Sequence, residues 1–173
     1  MIVRAATEAD AGAIAGIHVR GWRAAYRGLM PDAYLDALDP DEWAQRHRGR
    51  ILIPEPGMTR WVVERKGGPV IAFAAIGPAR EPWPAPNCGE VYAIYVEPDL
   101  RRRGAGRALL TRAVETFRSQ GFGTGTLWVL RDNAPARSFY QAIGWRSDGA
   151  EKDFELPGFP DARVPEVRYV LPL

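Results

Sequence analysis

Cysteine is nearly missing from this 173-residue chain: Cys88 stands alone. A lone cysteine excludes a disulfide framework and a C-x-x-C metal or redox pair. Histidine is almost as scarce. His18 and His47 are the only two, and neither forms a nucleophile–base motif with Cys88, which reads as an inert thiol. Lysine is the third shortage, since only Lys66 and Lys152 interrupt an otherwise all-arginine basic set. No apolar run approaches the ~20 residues that span a bilayer. The opening MIVRAATEAD carries Arg4, Glu8 and Asp10 where a signal peptide needs an apolar core. A soluble, cytoplasmic protein with no metal and no membrane partner is expected. Charge of one sign is lacking too: Lys+Arg 23 against Asp+Glu 21 leaves +2, too balanced for a general polyanion binder. The Arg101-Arg102-Arg103 run has no interleaved aromatics to stack on bases, so no nucleic-acid partner is expected.

What is present suffices for one folded unit. Chains of this size bury roughly 70% of their unfolded surface, and a hydrophobic content of 46% supplies the core, so a single domain over 1–173 is expected. The elements follow from period and punctuation. Met1 to Ala6 reads as a strand, and Thr7 with Asp10 three residues on marks a helix start. Ala13, Ile14, Ile17, His18, Gly21 and Trp22 recur at helical spacing up to Tyr26, with Gly28 beyond the end. Pro31 and Pro40 open two further helices. Trp61–Glu64 and Val70–Ile76 form a hairpin around Gly67-Gly68, and Gly77 to Pro86, rich in proline, reads as a loop. Val91–Val96 is a strand, Gly104–Gln120 an amphipathic helix, Thr126–Leu130 a strand and Asn133–Ile143 a helix. Two closing strands lie near Trp145–Gly149 and Val164–Leu171. Helices and strands mixed in this order predict an α+β or α/β fold around a central mixed sheet.

The junction after Val96 carries the chemistry. There a strand ends and Arg101-Arg102-Arg103-Gly104-Ala105-Gly106-Arg107 opens a helix, where unpaired backbone N–H groups and the helix dipole make an anion site. Glycines 104 and 106 allow a diphosphate close to the backbone. A Walker loop is excluded because no lysine follows the glycines, and a dinucleotide fingerprint because Leu109 stands where a small residue belongs. One helix and one strand later comes Asn133-Ala134-Pro135-Ala136-Arg137-Ser138-Phe139-Tyr140-Gln141-Ala142-Ile143-Gly144-Trp145. Asn133 suits a helix cap. Phe139 and Ile143, four apart, face the core, which turns Tyr140 about 100° away from Phe139 toward a cleft.

Together, R-x-x-G-x-G at Arg101–Gly106 and N-x-x-A-x-x-F-Y-x-x-x-G-W at Asn133–Trp145 resemble the GNAT N-acetyltransferase superfamily, and the element order extends the resemblance over essentially the whole chain. The resemblance implies about seven strands in a mixed, mostly antiparallel sheet flanked by helices and splayed into a V-shaped cofactor cleft. It implies acetyl-CoA as cosubstrate, its pyrophosphate on the amides of Arg102, Arg103, Gly104, Ala105, Gly106 and Arg107, with Arg101 beside them. Tyr95 and Val96 would give backbone groups to the acetyl and pantetheine part, and an N–H on the thioester oxygen is worth on the order of 3 kcal/mol. Asn133, Ala136 and Arg137 would line the pantetheine arm, and Tyr140 would protonate the leaving thiolate. For the acceptor amine, Glu90 is the candidate base, directly or through water, with Glu64 as an alternative. His18, Trp22 and Tyr26 share a helix face. Trp22 and Tyr26, in a segment that resembles the W-x-x-x-Y-x-G block of PaiA-type members, would form one acceptor wall and Trp83 another. The expected reaction is direct transfer in a ternary complex to a primary amine of a small, polyamine- or amino-acid-like molecule. A protein N-terminus or lysine as acceptor, or a non-catalytic acyl-CoA module, are the alternatives. A homodimer is compatible with the resemblance.

Overall fold

The computed structural model describes residues 1–80 and 87–173. A capping arrangement starts the first helical segment, as the TEAD sequence predicts. The Asp10 carboxylate accepts from the Thr7 amide (2.7 Å) and hydroxyl (2.9 Å). It also takes a bidentate fork from Arg4 at 2.7 and 2.9 Å, whose hydrogen bonds hold its pKa down to about 2.

The chain runs β1 (Ile2–Ala5), a 3-10 turn (Glu8–Asp10), α1 (Ala11–Tyr26), α2 (Asp32–Asp36), α3 (Pro40–Leu52), β2 (Thr59–Glu64), β3 (Val70–Pro78) and β4 (Cys88–Val96). A second 3-10 turn (Pro98–Leu100) leads to α4 (Ala105–Ser119), β5 (Thr124–Leu130), α5 (Ala134–Ala142), β6 (Arg146–Asp153) and β7 (Pro165–Pro172). The seven strands form one sheet in the order β1-β2-β3-β4-β5-β7-β6. Only β4–β5 is a parallel pair; every other neighbour is antiparallel.

Strand alternation sorts the core into two sides. On one face Val63, Ala74, Val91, Leu127 and Val167 pack with Leu109, Ala113 and Phe117 of α4 and Tyr140 of α5. On the other, Val62 and Phe73 pack under Ile14 and Ile17 of α1. The three-layer, mostly antiparallel architecture implied by the resemblance is the one observed.

Two irregularities in β4 position everything that follows. Its pairing with β3 steps from Ala75↔Ala93 to Ile76↔Val91, leaving Tyr92 as an extra, bulged residue. Val91 and Ile94 thereby both pack on the α4 side, although three residues separate them. Its pairing with β5 covers only Cys88↔Thr124 to Val91↔Leu127. Beyond that point β4 runs on to Val96 and β5 to Leu130 without pairing, so the sheet splits from the bulge onward.

Candidate active site

Between β4 and α4 the backbone turns left-handed twice, at Arg102 (φ 62°) and Gly104 (φ 88°). Such alternation aims successive N–H groups to one side as an anion cradle. Among the described residues, the amides of Arg102 to Arg107 find no acceptor, and α4 adds the positive end of its dipole. Arg101, Arg102, Arg103, Gly104 and Arg107 are exposed there, while Ala105 is buried. A non-glycine residue held left-handed costs of order 1–3 kcal/mol, a strain typical of functional loops. Gly104 is required for its backbone conformation. Gly106 is required for packing: a Cβ there would stand 3.3 Å from Phe139 Cζ and 3.6 Å from Val96 Cγ2. Gly106 thus also lets α5 pack close against α4.

The split strand presents its backbone to the opening. The Glu97 amide donates to Ile71 O at 2.8 Å. Antiparallel ladders alternate by two, so Tyr95 and Ala93 also bond toward β3, and Ile94 and Val96 turn their N–H groups into the split. Of the two residues expected to offer backbone groups, Val96 turns its N–H into the split and Tyr95 bonds toward β3, while Ile94, not among those expectations, shares the orientation of Val96. The bulge, which sets the phase, has no signal in the sequence.

Three phenols gather beside this opening. The Tyr26 and Tyr95 hydroxyls lie 3.1 Å apart, and the Tyr140 phenol is close enough to feel Tyr26 and to act on Tyr95. Burial pushes all three above the ordinary tyrosine value, so each stays protonated through neutral pH. Tyr140 is 7% exposed, and among the described residues its hydroxyl has no hydrogen-bond partner. It is a donor without an acceptor. Tyr26 also lies within electrostatic reach of Arg101 in the cradle and Glu166 of β7.

Asn133 caps α5, its Oδ1 accepting from the Ala136 amide at 3.3 Å. The Arg137 guanidinium is committed inside the protein, to the Arg131 carbonyl (2.8 Å) and the Tyr169 hydroxyl (3.3 Å). Arg137 thus braces α5 against β7.

On the α1 side of the split lies a cavity of about 420 Å³, with Glu90, Tyr92, Trp128, Lys152, Phe154 and Glu166 among its walls. Glu90 is 3% exposed and fixed by one residue. The Arg80 backbone amide (2.9 Å), Nε (3.2 Å) and Nη2 (2.5 Å) all donate to its carboxylate, while the same guanidinium lies over the Tyr92 ring. Glu64 is taken by Arg4 (2.7 Å) at the far edge of the sheet, away from this cavity. Trp22 corrects another expectation. It is 7% exposed and packed between His18, Tyr34, Trp43 and Phe154, a core residue rather than an acceptor wall. Trp83 lies outside the described residues. Cys88 is buried, and burial pushes its thiol up to about 11, in keeping with an inert thiol.

Comparison with known proteins converges on this geometry. The sequence profile of the acetyltransferase (GNAT) family matches residues 22–145. An uncharacterized N-acetyltransferase of Bacillus subtilis is 36% identical over 156 residues, covering 90% of this chain and 86% of its own. The PaiA N-acetyltransferase of Thermoplasma acidophilum, solved in complex with coenzyme A, superposes with a TM-score of 0.76 at 16% identity, covering 99% of this chain and 98% of that one. The acetyltransferase YncA of Salmonella typhimurium, solved with acetyl-CoA, gives 0.72 at 23% identity, covering 100% and 94%. With the family profile spanning the cradle, the split strand and α5 alike, this chain belongs to the GNAT acetyltransferase family and is an acyltransferase.

Proposed function

We propose that the protein transfers an acetyl group from acetyl-CoA to a primary amine held in the cavity beside Glu90, by direct attack while both substrates are bound. One observation carries the reading: a cradle of unpartnered amides opens onto the same split in the sheet as that cavity. The cradle suits a diphosphate in charge and backbone shape, and the structures of coenzyme A and acetyl-CoA complexes on this fold support the donor. Bound acetyl-CoA supplies an activated thioester carbonyl.

The chain's own groups do the rest. Amides from Arg102 to Arg107, with Arg101 beside them, hold the diphosphate, and Ile94 and Val96 offer N–H groups to the pantetheine arm and the thioester oxygen. The Asn133 amide and the Ala136 surface border the arm. Tyr140 donates to the departing sulfur, a role that suits a phenol kept protonated by burial. Glu90, oriented by Arg80, takes the proton that the acceptor ammonium must lose before it attacks. Tyr26 and Tyr95 close the top of the site.

The cavity wall also indicates the acceptor. Glu90, Asp153, Glu155 and Glu166 face two cations, Arg80 and Lys152, alongside the aromatic face of Trp128, chemistry that favours a small cationic amine. Calorimetry with acetyl-CoA, followed by thiol release across polyamines, aminoglycosides, amino acids and peptide N-termini, tests the proposal. Micromolar binding with turnover on a cationic small amine is expected. Absence of acetyl-CoA binding at high micromolar concentration would sink it, and binding without turnover on any amine would leave an acyl-CoA module.

A further inference from the structure

The sheet parts at Val91↔Leu127, the last β4–β5 pair. The first residue beyond it on each strand is aromatic, Tyr92 on β4 and Trp128 on β5, and both rings line the cavity. The Tyr92 ring carries one cation and the Trp128 ring two, with Arg168 Cζ 5.3 Å from the Trp128 centroid. The Arg80 guanidinium lies 4.6 Å from the Tyr92 centroid, and Lys152 Nζ lies 4.3 Å from that of Trp128. Lys152 differs chemically from the two arginines. A guanidinium never deprotonates in a protein and cannot serve as a nucleophile, whereas a lysine amine can.

Lysine is also the residue this chain almost lacks. Of the two present, Lys66 is exposed in the β2–β3 turn, remote from the split. Lys152, at the end of β6, is half-buried and sits at the lip where an acceptor amine must stand.

We propose that Lys152 is a self-acetylation site, modified in cis by the chain's own active site. The inference rests on the acetyltransferase reading above. Lys152 Nζ gives its proton to Glu90, directly or through water, and attacks the thioester carbonyl of acetyl-CoA. An N–C bond forms and the C–S bond breaks. The electron pair leaves on sulfur, which is protonated as free coenzyme A, and the amine becomes a neutral amide. No further reactant is needed. The product removes one of the two cations from Trp128, leaving Arg168, and fills the acceptor position.

The test is mass spectrometry of the full-length protein incubated with acetyl-CoA and no amine, with the modified residue mapped by peptide digestion. One acetyl group is expected on Lys152, with Lys66 unmodified, at a rate independent of protein concentration. Tyr140→Phe should slow it, and Lys152→Arg should abolish it. Equal labelling of Lys66 and Lys152 would mean solution chemistry and overturn the proposal. A rate that rises with protein concentration would overturn transfer in cis. An unmodified Lys152 in protein that binds acetyl-CoA and acetylates a free amine would overturn this inference alone. Failure to bind acetyl-CoA would overturn the acetyltransferase reading with it.

Discussion

Tyr140 and Glu90 illustrate how burial and pairing divide chemical roles between two side chains of one site. The Tyr140 phenol is buried, unpartnered and driven toward its protonated form, which suits the leaving-group role proposed for it. Tyr140→Phe should lower kcat about 10²-fold, the lower range for a positioned acid. Acetyl-CoA affinity by calorimetry should change little, because the ring stays in place against Tyr169. In the proposed reaction Glu90 acts on the acceptor instead. Replacing it by Gln should depress kcat/KM at neutral pH, with the loss shrinking as pH approaches about 10.4, where an alkylamine sheds its proton unaided. A loss of equal size at every pH would assign Glu90 a structural role with Arg80. The Arg80 guanidinium on Oε1 and the Arg80 backbone amide on Oε2 make that outcome worth the measurement.

The elements that build the cleft depend on glycines of two kinds. Gly89 and Gly125 face each other across the parallel β4–β5 ladder, and the Phe117 ring of α4 packs against both. A Cβ at Gly89 would approach Phe117 Cδ1 to 2.4 Å, and one at Gly125 would meet Trp145 at 3.2 Å. Gly89→Ala should therefore destabilise the fold by about 1–3 kcal/mol through overpacking, read as a fall in the denaturant midpoint with an unchanged slope. Gly104 belongs to the other kind. At φ 88° with only Met1 Cε near its Cβ position, at 3.7 Å, its constraint is backbone alone. Gly104→Ala should cost about 1–2 kcal/mol as left-handed strain. If the cradle relaxes to escape that strain, acetyl-CoA affinity falls while the fold survives. The Gly89 variant should fail in the opposite way, losing stability before affinity.

At the scale of the molecule, a buried histidine pair ties stability to pH. His18 Nδ1 and His47 Nε2 lie 3.2 Å apart within a ring cluster of Trp43, Phe73 and Tyr95. Burial, with the mutual repulsion of the pair and the charges of Arg50 and Arg60, lowers His18 to about 3 and His47 to about 4. Both are neutral when folded, while an unfolded histidine takes a proton near pH 6.5. The unfolded state therefore binds more protons below 6.5, and stability falls with pH from about 6.5 down to about 3–4. Each histidine accounts for at most about 1.4 kcal/mol per pH unit. Thermal unfolding should give a flat Tm between pH 7 and 8 and a steady decline below 6.5. His47→Gln should remove roughly half of that slope. Below about pH 4 the Asp10–Arg4 pair adds its own loss, since Asp10 titrates near 2.

Local chemistry in the chain determined the elements, the anion-binding junction and the family. Helical period, caps and glycine stops depend on neighbours a few residues apart, so α1, α4 and α5 are legible within a residue or two of their ends, except that α1 opens with a 3-10 turn. Arg101–Gly106 and Asn133–Trp145 likewise keep their meaning as short strings. Tertiary structure decided what depends on partners distant in sequence. A one-residue bulge at Tyr92 set which amides face the split, selecting Ile94 and Val96 over Tyr95, because strand phase is fixed by the neighbouring strand. Helix α5 crowds Gly106, since Phe139 leaves only 3.3 Å for a Cβ there. The α1 stripe of His18 and Trp22 became core once α3 and Phe154 covered it. The near absence of lysine was plain from composition, but only the pairing of β7 with both β5 and β6 brought Lys152 to Trp128, at the lip of the cleft.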